Sequence, residues 1–245
     1  MLVAGIDLAA EPKGTALALI EWSGNKAKLQ GLFLGVDDAE ILEATKGANK
    51  IGIDCAFGWP VEFFEFLTQH MNPNQIPKGI DGAMEWRRTL SYRETDREVR
   101  KITGRWPLSV STDRLGLTAM RNAGLLARFQ EAGVNVDRSG EGTVCEVYPG
   151  ATLRLWGFDT AGYRAEDNKR AKLLAKLKSQ APWLDLSSFE DQMLQSTDCF
   201  DAVIAALAAR AVALGGYSKP SKDQLAKAKV EGWICLPSGD ISTLI

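Results

Sequence analysis

An apolar run that begins at the second residue and contains a single acid is the feature that most constrains the fold. Residues 2–8 have the sequence Leu-Val-Ala-Gly-Ile-Asp-Leu, and a turn with Lys13 and Gly14 leads to a second apolar run over residues 14–22. This pattern predicts two neighbouring strands of a hairpin. A carboxylate in a buried strand is costly unless a cation or a hydrogen bond compensates it. Asp7 is therefore either a strand-end acid bonded to a backbone N–H, or a metal ligand or general base at the mouth of a sheet.

A second short apolar run repeats the pattern. The segment Gly-Ile-Asp-Cys-Ala at residues 52–56 echoes Gly-Ile-Asp-Leu-Ala at residues 5–9, although the match is too short for an internal repeat. It indicates two neighbouring parallel strands that present Asp7 and Asp54 at the same edge of a sheet. Open α/β sheets place their binding sites at that edge.

The remaining elements follow from apolar periodicity and from turn residues. We predict further strands at residues 31–35, 143–149 and 232–237, helices at residues 38–46, 61–70, 112–132, 151–155, 168–180 and 198–214, a loop at 72–82 and a polar connector at 217–228.

Composition and charge restrict the class of protein. The 245 residues fit one large domain or two small ones. A net charge of −2 and a pI of about 5.6 give no global basic field for nucleic-acid binding. The sequence contains neither an apolar run of about 18 residues nor a signal peptide, so we expect a cytoplasmic protein that is not bound to a membrane. The sequence does not indicate an oligomeric state.

The cysteines and the single histidine exclude several kinds of site. Cys55, Cys145, Cys199 and Cys235 form no C-x-x-C pair, so neither a zinc site nor a disulfide framework is indicated. His70 is the only histidine, which excludes a histidine-based metal cluster and leaves one candidate base for a Ser-His-Asp arrangement.

Three more acids lie in apolar surroundings. Glu146 is inside the predicted strand 143–149, and Asp198 and Asp201 open an alanine-rich helix at residues 198–214. Acids in the first turn of a helix also simply favour the positive end of the helix dipole, so that interpretation stays open for the last two.

A cluster of four or five carboxylates would repel strongly at neutral pH. Either some of their pKa values rise, or divalent cations neutralise them. Ligation by oxygen alone selects hard cations such as Mg²⁺ or Mn²⁺. Two such ions about 4 Å apart support attack of water on a phosphodiester.

A densely charged segment at residues 84–103 allows two interpretations. It fits a solvated helix with ion pairs between nearby residues, and it fits a phosphate-binding element built on Arg93 and Arg97. An exposed basic patch at residues 87–105 would favour a nuclease, whereas neutralisation of the patch would favour a binding or structural role. The acids that could neutralise it are Glu85, Glu94, Asp96 and Glu98.

Five short motifs, taken in order, resemble a known family. They are Gly5-Ile-Asp7-Leu-Ala, Ile53-Asp54-x-x-x-Gly-Trp-Pro60, Arg93-x-Thr-Asp96-Arg97, Glu146-Val-Tyr-Pro149 and Asp198-x-x-Asp201-Ala. Their order and spacing resemble the domain-of-unknown-function family DUF429, a family of predicted nucleases with a ribonuclease H-like fold. The motif Asp198-x-x-Asp201 is also similar to the Holliday-junction resolvase branch of that fold.

The resemblance implies an α/β fold. Its mixed five-stranded sheet would join an antiparallel β-meander to parallel strands, and helices would flank it. We expect one domain over residues 1–245, with a helical insertion at about residues 61–140.

The resemblance also implies a nuclease that hydrolyses phosphodiester bonds by a two-metal carboxylate mechanism with Mg²⁺ or Mn²⁺. Nucleic acid or a nucleotide is then the expected partner, although the acidic pI counts against a long duplex. Arg93 and Arg97 would contact substrate phosphates, and Asp198 would be a base or an alternate ligand. The implied metal ligands, which with Asp198 form the catalytic set, are Asp7, Asp54, Glu146 and Asp201.

Two other functions remain open. The hairpin turn Lys13-Gly14-Thr15 after Asp7 resembles the first phosphate loop of actin-like kinases and ATPases, which makes Lys13 a further candidate phosphate contact. Those enzymes need two such domains and a second glycine-rich loop, for which this chain is short. Alternatively, the fold is kept but binds a nucleotide or a protein without catalysis, because fold does not fix function.

Overall fold

Six strands form one mixed sheet in the computed structural model, which describes residues 1–80 and 82–245. The strand order is β5-β4-β1-β2-β3-β6. Strands β1 to β3 are an antiparallel meander, whereas β4 runs parallel to β1, β5 to β4, and β6 to β3. The strands are β1 (Leu2–Asp7), β2 (Ala16–Ser23), β3 (Lys26–Leu34), β4 (Lys50–Asp54), β5 (Val144–Glu146) and β6 (Leu184–Asp185).

The predicted α/β class and the mixed sheet are confirmed, but the expected number of five strands is wrong. The sixth strand, β6, pairs with β3 over only two residues, which is too short for an alternating pattern to appear in the sequence. The predicted strand at residues 232–237 forms isolated bridges instead, one between Glu146 and Ile234 and one between Tyr217 and Pro237.

Helices cover both faces of the sheet. Among the described residues, no helix is long and apolar enough to cross a membrane. The helices are α1 (Asp38–Ala44), α2 (Val61–His70), α3 (Ala83–Ser91), α4 (Glu94–Thr103), α5 (Gly116–Glu131), α6 (Pro149–Leu155), α7 (Asp167–Gln180), α8 (Glu190–Gln195), α9 (Thr197–Ala213) and α10 (Leu225–Glu231).

The charged segment at residues 84–103, for which a single solvated helix is one of the two interpretations, forms two helices, α3 and α4. The chain is extended at Tyr92 and Arg93, and the Asp96 carboxylate accepts a hydrogen bond from the Arg93 backbone N–H at 2.9 Å. This local bond caps the start of α4, because a side-chain acceptor satisfies a backbone donor that the first turn of a helix leaves unpaired.

Sequence periodicity also missed α8, and it placed most of α10 in a polar connector.

The alternation of side chains along β1 and β4 determines to which face of the sheet each side chain points. Ala4 and Ile6 pack on one face with Leu125 and Phe129 of α5. The residues between them point to the opposite face, which α9 covers. Asp7 is therefore on the α9 side of the sheet.

Two glycines let α9 approach the sheet at the central strands. Gly5 and Gly52 are register partners on β1 and β4. A Cβ atom at Gly5 would lie 2.1 Å from the Ala202 carbonyl oxygen, and one at Gly52 would lie 2.7 Å from the Ala205 oxygen. Backbone therefore packs against backbone here, a contact that a side chain on either strand would prevent.

We predict that Gly5→Ala lowers the free energy of unfolding by about 3 kcal/mol or more, because the new methyl group meets helix backbone that cannot move independently. The matched control is Gly124→Ala in α5, where a Cβ atom meets nothing within 4 Å. That control should raise stability by about 0.5–1 kcal/mol through helix propensity. Urea unfolding of both variants measures the difference, and similar stabilities would contradict the close approach.

Candidate functional site

Asp7 and Asp54 end the two central parallel strands as direct register partners. Neighbouring strands lie about 4.8 Å apart, so the two carboxylates start from adjacent backbone positions on the α9 face. Both line a cavity of about 210 Å³. Asp201, which is buried in α9, acts electrostatically on both, whereas Asp198, one turn earlier, is half-buried. The structure thus brings together the predicted acids Asp7, Asp54 and Asp201, with Asp198 beside them.

Burial and mutual repulsion raise the pKa values of these carboxyl groups. Burial, followed by the charges of Asp54, Asp201 and Asp198, raises the pKa of Asp7 well above its usual value. Burial and Asp201 raise the pKa of Asp54 to about 7, and burial raises that of Asp201 to about 6 against the opposing effect of Arg164. Near neutral pH this group either keeps protons or requires a cation.

Arg164 is the cation that faces the cluster. Its guanidinium lies 2.8 Å from the Asp201 carboxylate and 4.0 Å from that of Asp54, and its side chain is 56% exposed. The Tyr163 hydroxyl donates to Asp201 at 2.8 Å and accepts a hydrogen bond from Arg164 Nε at 3.1 Å. Sequence reasoning missed both residues, because they lie outside any helix or strand and no periodic pattern marks them.

Glu146 pairs in register with Ile53, so its side chain leaves β5 on the face opposite to that of Asp54. It lies at the end of the strand, however, and lines the same cavity as Asp7 and Asp54. Its carboxylate accepts hydrogen bonds from Arg93 at 2.8 and 2.9 Å and from the Phe57 N–H at 3.0 Å. Burial raises the pKa of Glu146, and Arg93 opposes the rise.

Arg93 is a buried structural cation in this arrangement. Its five N–H donors bind the Asp96 carboxylate twice, the Glu146 carboxylate twice and the Glu231 carbonyl oxygen once. The side chain is 3% exposed. A guanidinium has five donors in total, so none is left for a substrate phosphate while this network is intact.

The other predicted phosphate contacts also have acidic partners. Arg97 lies 3.3 Å from Glu94, and the exposed Lys13 lies 3.1 Å from Glu11.

The acids of α3 and α4 neutralise much of the segment's positive charge. Four ion pairs connect residues three apart, which is the outcome that favours a binding or structural role for this segment over a basic nucleic-acid surface. The pairs are Glu85 with Arg88, Asp96 with Arg93, Glu94 with Arg97, and Glu98 with Lys101.

A cation would find carboxylates here rather than a finished coordination shell, and Asp54 has Arg164 as an ion-pair partner at 4.0 Å. In the described part of the chain, no group of three or more His, Cys, Asp and Glu residues is arranged to hold a metal ion. The Asp201 carboxylate already interacts with Tyr163 and Arg164, and the Glu146 carboxylate already interacts with Arg93. Within the same described ranges, the side chains of Asp7 and Asp54 accept no hydrogen bond. Their oxygens suit Mg²⁺ or Mn²⁺, so these two residues fit such an ion, and Asp201 fits it only after Arg164 moves.

We predict that Arg93→Met lowers the free energy of unfolding by about 3–5 kcal/mol, because it leaves buried carboxylates without their counter-charge. Arg97→Met, in the neighbouring and more exposed ion pair, should cost about 1 kcal/mol or less. Urea unfolding near neutral pH compares the two variants. Equal losses would contradict a structural role for Arg93.

The raised carboxyl pKa values also predict a pH dependence of stability. Asp54 titrates near 7 and Asp201 near 6 in the folded chain, against the usual 3.8, so the folded state binds more protons than the unfolded state between these limits. Stability from these groups is therefore fully present at low pH and is lost as the pH rises through about 6 to 7.

Asp54→Asn removes one of these titrating groups. The free energy of unfolding of this variant minus that of the unsubstituted chain should therefore increase by roughly 2 kcal/mol from about pH 5 to about pH 8. Urea unfolding with EDTA present measures both values. The exposed Asp191→Asn serves as the control and should show a difference that does not vary with pH. The same flat profile for Asp54→Asn would contradict the electrostatics described above.

Comparison with known proteins gives one match. Neither the curated proteins nor the solved structures contain a protein that matches the chain. A family model described as protein of unknown function (DUF429) matches residues 5–225 and so covers Asp7, Asp54, Glu146, and both acids of α9. Since the match spans nearly the whole sequence, the chain belongs to the DUF429 family.

Proposed function

We propose that this chain is a divalent-metal-dependent phosphodiesterase that acts on a nucleic acid or a nucleotide. The observation that carries the proposal is the pair Asp7 and Asp54, two neighbouring carboxylates in register at one edge of the sheet, with raised pKa values and without hydrogen-bond donors in the described chain. Such a pair is poorly compensated by the protein alone. A hard cation would compensate it and give the pair a function.

Asp7 and Asp54 would hold Mg²⁺ or Mn²⁺, and Asp201 would join them once Arg164 leaves it. A cation held there would lower the pKa of a bound water and would stabilise the charge that develops on the leaving oxygen. Asp201, once free of Arg164, would add its carboxylate oxygens to the set that holds the metal.

Two further side chains of this site have roles in the proposal. Asp198 is half-buried, and burial raises the pKa of its carboxyl group, which makes the carboxylate a stronger base than an exposed aspartate. Arg164 is more than half exposed at the cavity, so its guanidinium can bind a phosphoryl oxygen and stabilise negative charge there. Glu146 supports the site by joining β5 to Phe57 in the segment after β4, and Arg93 joins Glu146 to Asp96 of α4.

The charge distribution favours a small substrate. The net charge is −2, and the acids of α3 and α4 pair with three basic residues on those helices and with Arg93 just before α4. Affinity for long nucleic acids depends on many phosphate contacts, for which such a surface is unsuited. A short single strand or a nucleotide is therefore the preferred substrate class. The same ion pairs favour the second candidate function, nucleotide binding without catalysis.

We predict that Mn²⁺ binds saturably to the metal-free protein in calorimetric titrations at about pH 8, which is above the pKa of about 7 at Asp54 and of about 6 at Asp201. Asp7→Asn and Asp54→Asn should each weaken binding by more than about tenfold, because each removes a ligand oxygen charge. The control Asp191→Asn removes an exposed carboxylate elsewhere and should leave binding unchanged. Hydrolysis of short single-stranded DNA and RNA, measured with the same four proteins, should follow Mn²⁺ affinity.

The outcomes separate the two candidate functions. Metal binding that depends on Asp7, without hydrolysis of any oligonucleotide or nucleotide, would replace the phosphodiesterase with the non-catalytic nucleotide-binding protein. Absence of Mn²⁺ binding at millimolar concentrations, with and without an oligonucleotide present, would contradict a metal-dependent mechanism altogether.

A further inference from the structure

A second cavity adjoins the carboxylate cavity. Its volume is about 300 Å³, and it shares Tyr148 and Arg164 with the first cavity. Its lining includes three arginines, Arg105, Arg154 and Arg164, and none of the described residues that line it is acidic. We call it the arginine cavity. Three guanidinium groups around one small space repel one another unless an anion lies between them.

Arg154 of α6 has an incomplete set of partners. Its Nε is buried and has no hydrogen-bond partner among the described residues. Its guanidinium carbon lies 5.7 Å from the ring centroid of Tyr148, which supports the charge without using the N–H donors. A buried donor without a partner is unfavourable, and such groups in native proteins often face a bound ligand or ion.

Arg105 and Arg164 approach the same space from two different segments. Arg105 is exposed between α4 and α5, and no carboxylate in the described ranges forms an ion pair with its side chain. Arg164 is paired with Asp201 but is more than half exposed. The neighbouring Gly162 has a φ of +73°, a conformation that glycine adopts without strain and that shapes this loop beside α6.

We propose that the arginine cavity binds a phosphate group of the substrate. Phosphate fits because its oxygens accept paired hydrogen bonds from guanidinium groups and because it is an anion at neutral pH, with one negative charge as a diester and nearly two as a terminal group. A volume of about 300 Å³ leaves room for a phosphate and part of the attached group. That this phosphate flanks the bond to be cleaved rests on the proposed function; the binding of the anion itself does not.

The position of Arg164 connects the two cavities. Because its side chain lines both of them, a phosphate held by Arg154 and Arg105 would lie next to Asp54 and Asp201. All five N–H donors of Arg93 are bound inside the protein, so the arginine cavity takes the place of Arg93 in the proposed phosphate site.

The test is a calorimetric titration of inorganic phosphate into the metal-free protein with EDTA present. We expect saturable binding that is at least about tenfold weaker in Arg154→Gln and in Arg105→Gln, since each loses a charge-assisted contact. The matched control is Arg87→Gln, which removes the same charge from an exposed position on α3 and should bind phosphate like the unsubstituted chain.

Circular dichroism melting shows whether each variant is folded. If the half-buried Arg154→Gln does not fold, the exposed Arg105→Gln decides the outcome alone. Absence of phosphate binding by the unsubstituted chain at millimolar concentrations would overturn the proposal, and so would an equal loss in Arg87→Gln, which would indicate diffuse electrostatic attraction.

The same proteins distinguish this proposal from the proposed function. Mn²⁺ binding that depends on Asp7, without phosphate binding that depends on Arg105 or Arg154, would overturn the arginine cavity and leave the phosphodiesterase intact. Phosphate binding without Mn²⁺ binding would support the arginine cavity and contradict the metal-dependent mechanism.

Discussion

The contact between the alanine-rich helix α9 and the glycines of β1 and β4 is the constraint on which the site depends. A Cβ atom at Gly5 or Gly52 would collide with helix backbone, so the helix can pack at this distance only where both strands lack side chains. That distance buries Asp201 beside the ends of the strands that carry Asp7 and Asp54. The raised pKa values follow from this packing, since the helix removes water from carboxylates that also repel one another.

Two arginines compensate the acids of this region in different ways. Arg93 is buried, and all five of its N–H donors are bound, so removing it would leave charges uncompensated in the interior. Arg164 is mostly exposed and has one close carboxylate partner, Asp201. Only the second arrangement leaves part of the guanidinium accessible to a ligand. This difference, rather than the number of arginines near the site, determines which arginine is suited to bind a phosphate.

Sequence patterns found the carboxylates but not their partners. The echo between residues 5–9 and 52–56 predicted parallel strands with acids at one edge, and Asp7 and Asp54 do pair in register. The face of Glu146 depends on the register of β5, and a shift of one residue reverses every side chain, so no pattern within one strand could reveal it. Arg164 lies in an irregular segment whose position is set by tertiary packing, and β6 is too short for any periodicity.

The Arg164–Asp201 ion pair couples the two proposed ligands. A phosphate in the arginine cavity would pair with Arg164, and a cation at Asp7 and Asp54 would pair with Asp201, so each ligand would compete with the Arg164–Asp201 ion pair. Removing either partner alone leaves a charge without compensation, and for the buried Asp201 this is strongly unfavourable. If both ligands bind, each charge regains a partner of opposite sign. By linkage each ligand should then raise the affinity for the other, so that each binds more weakly alone than when both are present.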